Sequence, residues 1–388
     1  MRAMELYYRL DLWEWILLGG LFLTAAGLVR FYFNVYARLL KYTVPVPGEE
    51  KKPVSVVISG KNQYEMLKKN LTFWLEQKYP CFEVIVVYEN TDEDIASLLQ
   101  EFARRYDKLK LINANQSINF FDEKKFSLSV GVKSAENEYV ILTDPRFRPT
   151  SEYCIDYMQA AFGPKTNIVI GHPVNSARKT RICSFSGWRN AENSLQYIGF
   201  ALKGKAFTGR RTLIAYRKSF FLEHQGYTDT YALNTGVFDR LCPHLSQKED
   251  LALQLAPQAE VRFTDPHGHT GTYRSEKQYL NTLYSQKSSA RTEIRLYRWL
   301  TPLFFLFLAG NILYFASGMN QGRYPLLPVW IIAAGAVALF KFVIQAVVMQ
   351  KAGNVIRSGL LWLCLPLYEI LYLPLQVALC WGKKRGRA

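Results

Sequence analysis

Polar side chains recur just after the β-rich runs in the first half of this sequence. Ser59 and Asn62 close and follow a run opening at Val54. Glu89 follows Phe82-Glu-Val-Ile-Val-Val-Tyr88, and Asp144 follows Tyr139-Val-Ile-Leu-Thr143. A carboxylate at a strand end can hydrogen-bond a base or a ribose, or help hold a divalent ion against a diphosphate. Asp and Asn also cap helices and form turns. For one such residue the capping reading is the better one; three such groups at successive strand ends reverse that preference. Later, His267-Gly-His269 follows a β-rich run at Val261. Two histidines at i and i+2 could ligate a metal, although a surface turn is the favoured reading there.

The elements that must position these groups are short and alternate in type. Helical spacing of apolar residues appears at Leu67, Leu71 and Trp74, and again at Ile95, Leu98, Leu99 and Phe102; Leu109 to Asn113 reads as a further strand. Strands alternating with helices of this length predict an α/β domain with a doubly wound, mostly parallel sheet. Such sheets bind ligands beyond the carboxyl ends of their strands, which is where Ser59, Asn62, Glu89 and Asp144 fall.

The rest of the 388 residues carries a different signal. Hydrophobic residues make up 49% and charged residues 21%, a mixture that suggests a soluble domain attached to membrane segments. Trp13 to Val29 is nearly uncharged. A signal peptide is disfavoured because Arg2 and Arg9 are offset by Glu5, Asp11 and Glu14. Leu300 to Met319 and Leu326 to Gln350 are also long enough to span a bilayer. Arg30, Arg38 and Lys41 follow the first span, Arg295 and Arg298 precede the second, and Lys351 and Arg357 follow the third. All three flanks are therefore predicted to be cytoplasmic. Gly359 to Trp381 contains Pro366, Glu369 and Pro374 and ends in a basic tail that a crossing would place outside, so an interfacial or re-entrant segment is favoured over a third C-terminal span. The predicted division is an anchor and linker over 1–50, an α/β domain over 51–294, and a membrane domain over 295–388. The net charge of +16 suits anionic lipid or a phosphorylated substrate. Without a recognition-helix or aromatic RNA-binding pattern, nucleic acid is not expected. The six cysteines form no Cys-x-x-Cys pair and read as free thiols.

Several blocks together resemble family 2 glycosyltransferases of the GT-A fold, in particular bacterial members with flanking membrane helices. Pro53-Val-Ser-Val-Val-Ile-Ser-Gly-Lys-Asn62 is similar to the family's opening strand and turn, and Gln77-Lys-Tyr-Pro80 with the run from Phe82 to its second strand. Glu123 to Ala135 resembles the segment before the Asp-x-Asp motif, which corresponds to Thr143-Asp-Pro-Arg-Phe-Arg-Pro149. Thr208 to Lys218 resembles the acceptor-side block, Lys248-Glu-Asp-Leu251 the Glu-Asp motif, and Gln286-Lys287 with Arg291 the Gln-Lys-x-Arg element. The resemblance implies an inverting transferase of a bacterial inner membrane that takes a UDP- or GDP-linked sugar. The nearby spans suggest contact with membrane lipids and a lipid-linked acceptor. Two or three C-terminal segments are too few to line a polymer channel, so a non-processive reaction is expected. The resemblance also implies Ser59, Asn62, Glu89 and Asp144 at the nucleoside, Lys124, Lys125 and Arg146 toward the phosphates, and Gln286, Lys287 and Arg291 at the diphosphate. Gly209 and Arg210 would shape the acceptor site, and Asp250, with Glu249 beside it, would be the general base. The competing reading of Glu249 and Asp250 is a helix start, where acids favour the dipole.

The sequence departs from that pattern at Tyr88-Glu89, where one carboxylate replaces a pair, and at Gln63, where a Glu is usual. It departs most at Arg146, which stands where the second acid of Asp-x-Asp should be. Arginine has donors only and cannot ligate a metal, but it can take a diphosphate bidentately. Magnesium or manganese therefore remains one expectation, with Asp144 and either His267 or His269 as ligands, and direct binding by Arg146 is the other. A second functional reading is a catalytically silent member acting as a membrane scaffold or acceptor-binding subunit.

Overall fold

The computed structural model describes residues 12–59, 63–88, 93–114, 123–174, 185–208, 213–224, 245, 248–264, 277, 279–280, 283, 289–320, 327–358 and 364–382. The strand expectations hold: β1 (Val54–Ser59), β2 (Phe82–Tyr88), β3 (Leu109–Asn113) and β4 (Tyr139–Thr143) form the first half of the main sheet. With β6 (Ile168–Gly171), β8 (Leu213–Arg217) and β9 (Leu251–Gln254), its order is β3-β2-β1-β4-β8-β6-β9. β8 runs antiparallel to both neighbours and the other pairings are parallel. A smaller sheet joins β5 (Phe147–Pro149), β10 (Val261–Phe263) and β7 (Pro173–Val174).

Side-chain alternation along the strands divides the core into two faces, as the two-residue period of a strand requires. Val54, Val56 and Ile58 pack with α2 (Tyr64–Leu75), α3 (Glu93–Arg105) and α5 (Cys154–Ala160) through Leu67, Leu71, Trp74, Leu99 and Met158. Val57, Ile85 and Val87 face α4 (Glu123–Ser134) and α6 (Phe185–Leu202). Helix α4 lies close on the sheet because Gly131 has no side chain: a Cβ there would meet Val57 Cγ1 at 2.4 Å.

At the strand-entry edge, Glu83 ties three strands together. It accepts from Ser55 Oγ at 2.5 Å and from the Glu136 amide at 2.8 Å, and pairs with Lys110 at 2.8 Å. Burial alone would raise its carboxyl. The hydrogen bonds from Lys110, Ser55 and the Glu136 amide outweigh that and hold it below the usual carboxylate range.

Among the described residues, three helices are long and apolar enough to cross a membrane, within 13–41, 290–317 and 329–355. They belong to α1 (Leu12–Asn34) and, after the short α7 (Lys218–Glu223), to α8 (Ser289–Asn320) and α9 (Leu327–Val355). Asn311 on α8 donates to Leu17 O of α1 at 3.1 Å and accepts from Trp330 Nε1 of α9 at 2.9 Å. Lys341, inside α9, is fully buried: its ammonium pairs with Glu369 of α10 (Leu365–Gly382) at 2.8 Å, and Gln345 bonds both. The phenyl rings of Phe304 and Phe342 flank that ammonium.

Helix α6 joins the two halves. Its Gly199 lies against the end of α1, where an added Cβ would come within 2.6 Å of Val35 O. One apolar cluster runs from Val140 and Leu142 of the sheet through Leu195 and Ile198 of α6 to Leu28 of α1 and Met349 of α9. The predicted soluble domain and membrane domain share this cluster.

Candidate functional site

Ser59 is the buried last residue of β1, and Asp144 follows Thr143 at the end of β4. Since β1 and β4 are parallel neighbours, both lie at the edge of the sheet where such folds take ligands. β8 enters at the same edge, with Leu213 opposite Thr143. His172, one residue beyond β6, is buried there too, with Nδ1 3.2 Å from Tyr197 Oη of α6. Nothing in the sequence pattern marked His172; it stands out only once β6 is placed.

The turn after β4 is fastened on several sides. Phe147 N donates to Asp144 O at 2.9 Å, and Asn70 Nδ2 of α2 donates to Pro145 O at 2.7 Å. Thr264, just past β10, donates to Arg146 O through its amide and its hydroxyl, each at 2.9 Å. Arg146 then folds back on Asp144. Its Nε meets Oδ1 at 2.8 Å, its Nη2 meets Oδ2 at 2.9 Å, and its own amide donates to Oδ1 at 3.0 Å. This is the forked geometry of the strong charge-assisted pairs. The Asp144 side chain is 2% exposed and that of Arg146 36%.

That pairing bears on a metal. Both oxygens of Asp144 are engaged, and a dication at Asp144 would face a guanidinium at contact distance. Among the described residues, no group of three or more His, Cys, Asp or Glu could hold an ion. The described residues do not fit a metal on Asp144. The other expected ligands, His267 and His269, lie outside the described residues. So do Asn62, Glu89, Gly209, Arg210, Gln286 and Lys287, and the side chains of Lys124 and Lys125.

Asp250 and Glu249 fall elsewhere than the resemblance implied. They sit in a 3-10 turn, Lys248–Asp250, that leads directly into β9 and not into a helix. β9 runs parallel to β6 with Leu251 opposite Ile168, and Asp250 O accepts from Asn167 N at 2.8 Å. This is the edge where β4 begins, because Ile168 and Tyr139 are aligned through β8 with Tyr216 and Arg217. Strand rise alone separates that edge from Asp144 by roughly 15 Å. Glu249 is exposed and pairs with Lys165 at 3.1 Å. The structure therefore does not bring Asp250 and Asp144 into one site.

Arg291 belongs to the first turn of α8 and is half-buried. Glu293, two residues on, pairs with Lys203 at 2.5 Å and Lys205 at 3.0 Å, which ties the start of α8 to the segment after α6. Helix α6 carries the polar residues that sequence reasoning missed. Arg189 pairs with Glu192, which also accepts from Tyr297 Oη at 2.8 Å. The Arg189 guanidinium lies 3.9 Å from the ring centre of Tyr372, and Trp188 stacks on Tyr368. A cavity of about 20 Å³ lies among Trp188, Arg189, Glu192, Arg298 and Glu369, enough for about one water. The polar face of α6 is thus a seam between the sheet and the membrane helices. The one cue in the sequence was Arg189 and Glu192 at i and i+3 in a run otherwise short of charge.

A mostly parallel sheet of this order, with its polar turn beyond β4, is the GT-A fold, as the likeness to a solved structure shows. The model of glycosyl transferase family 21 matches residues 21–189, a range that begins within α1 and takes in the strands up to β7. Poly-beta-1,6-N-acetyl-D-glucosamine synthase of Staphylococcus epidermidis is 24% identical over 218 residues, 52% of this chain and 48% of the relative. The chain thus spans about half the length of that curated relative. The mannosyltransferase PcManGT from Pyrobaculum calidifontis, solved with GDP-Man and Mn2+, superposes with a TM-score of 0.53 at 14% identity, covering 89% of this chain and 99% of that one. Residues 1–349 of TarS from S. aureus, solved with UDP-GlcNAc, give only 0.40 at 14% identity, over 79% and 89% of the two chains.

Proposed function

We propose that this chain moves a sugar from a UDP- or GDP-linked donor, bound beyond the ends of β1, β2 and β4, to a lipid-linked acceptor at the bilayer surface. The reaction inverts the anomeric centre and adds one sugar per encounter, on the cytoplasmic side of a bacterial inner membrane. One observation carries this reading: the sheet whose carboxyl edge holds Asp144 and Arg146 shares its core, through α6, with three helices apolar enough to cross a membrane. A ligand edge so attached is held near the bilayer, within reach of an acceptor that cannot leave it.

Ser59, Asn62 and Glu89 would serve the nucleoside. Lys124, Lys125, Arg146, Gln286, Lys287 and Arg291 would serve the diphosphate, and Gly209 and Arg210 the acceptor side. An acceptor hydroxyl oxygen attacks the anomeric carbon from the face opposite the diphosphate. The carbon–oxygen bond to the diphosphate breaks with its electron pair, and the hydroxyl proton passes to a base. Cationic side chains stabilise the charge that develops on the leaving group.

The test uses the full chain in detergent with bacterial lipid extract and, in turn, UDP-GlcNAc, UDP-glucose and GDP-mannose. One donor is expected to release its nucleoside diphosphate and label an organic-extractable product bearing a single sugar. A water-soluble polymer would overturn the one-sugar part. No turnover with any donor, and no nucleotide binding, would leave the chain a scaffold.

A further inference from the structure

We infer that Arg146 takes the place a divalent ion would hold, so that the donor diphosphate is received by a guanidinium without a metal. This rests on the nucleotide-sugar reading above and adds how its phosphates are bound.

The argument starts from which atoms are occupied. Asp144 is the buried acid at the end of a central strand, and Arg146 closes on both of its oxygens. For Asp144 to ligate an ion it would have to share an oxygen already accepting from Arg146 and hold a dication beside a guanidinium, a like-charge contact. The pair is also held from behind. Thr264 binds the carbonyl of Arg146, Asn70 binds that of Pro145, and the ring of Phe263 lies 5.9 Å from the guanidinium carbon. The backbone that presents Arg146 is therefore fixed before any ligand arrives.

The orientation matters as much as the charge. Asp144 takes the Nε–Nη2 edge of the guanidinium, which turns the Nη1–Nη2 edge away from the carboxylate. With its side chain 36% exposed, Arg146 is in contact with the outside of the strand end, while Asp144 is not. A planar fork suits two phosphate oxygens, which an ammonium cannot match. Asp144 is then a positioning residue: it aims the guanidinium and does not touch the donor. The pair sums to zero charge, whereas Asp144 with a dication would sum to +1. The remaining compensation for a diphosphate must come from other cations, which a chain of net charge +16 has in excess.

The experiment titrates UDP and GDP into the detergent-purified full chain by calorimetry, once with MnCl2 and once with EDTA. Binding of the preferred nucleotide is expected to agree within about twofold between the two conditions, and Arg146→Lys to weaken it about tenfold by losing the fork. Arg146→Asp restores two acids at this turn. That variant is expected to bind nucleotide only with Mn2+, and its melting temperature to rise with Mn2+ alone while that of the wild type does not. Melting curves of each variant identify one that has failed to fold. Nucleotide binding by the wild type that vanishes with EDTA would overturn this inference alone, as would an Arg146→Lys variant of unchanged affinity. Absence of binding by either nucleotide in both conditions would remove the donor reading as well.

Discussion

Asp250 and Asp144 show how differently two acids can be placed by one sheet. Asp144 follows a parallel strand, so it arrives at the ligand edge, and Arg146 two residues on can reach back to it. Asp250 precedes a parallel strand, so it is delivered to the opposite edge beside Asn167. Loss of a general base costs roughly 10²–10⁴-fold, so Asp250→Asn is expected to change turnover only a few-fold, and a drop beyond about a hundredfold would return Asp250 to the mechanism. Asp144, Arg146 and their two-residue spacing were legible in the sequence, and so was the consequence that arginine cannot ligate a metal. Their mutual pairing was not legible, because it depends on a turn fixed by Asn70 and Thr264, which lie 75 and 118 positions from the carbonyls they bind.

At the scale of elements, α10 is the segment whose sequence was hardest to place. Two prolines and Glu369 in an apolar stretch point away from a simple span, and the reason for the glutamate lies on another helix. Lys341 and Glu369 neutralise each other, and Gln345 satisfies both. Removing one member of a buried ion pair leaves the other without compensation, at a cost of roughly 3–5 kcal/mol, whereas replacing both with apolar residues of similar size is often neutral. Lys341→Met and Glu369→Leu are each expected to lower the melting temperature in detergent and to expose α10 to protease. The double variant should recover most of both losses. Equal damage in the single and double variants would mean that the pair does not hold α10.

For the whole molecule the relevant fact is the shared core. Gly199 and Gln196 of α6 meet Val35 and Tyr36, Phe200 packs on Phe31, and Trp188 stacks on Tyr368 of α10. A fragment of residues 51–294, cut at the expected domain boundaries, would leave that side of α6 in water. Each large apolar side chain so exposed forfeits roughly 1.5–3 kcal/mol. The fragment is expected to aggregate or to bind ANS, measured by size-exclusion chromatography and fluorescence. A monodisperse, cooperatively unfolding fragment would show that the α/β part stands alone. The three predicted spans and the domain limits followed from composition, which cannot report that one helix belongs to both parts.

What the sequence determined by itself is whatever local periodicity and residue chemistry determine. The near-continuous apolar runs of β1, β2 and β4 follow from local order, and so do the apolar lengths of three helices and the polar residues closing the strands. What only the tertiary structure decided is which of those residues meet. Register and strand direction put Asp144 and Asp250 at opposite edges, and contacts between distant segments made α6 a seam and buried Lys341 against Glu369. The physical reason is that periodicity records which face of an element is apolar, whereas pairing across the fold depends on the direction and register of every strand between.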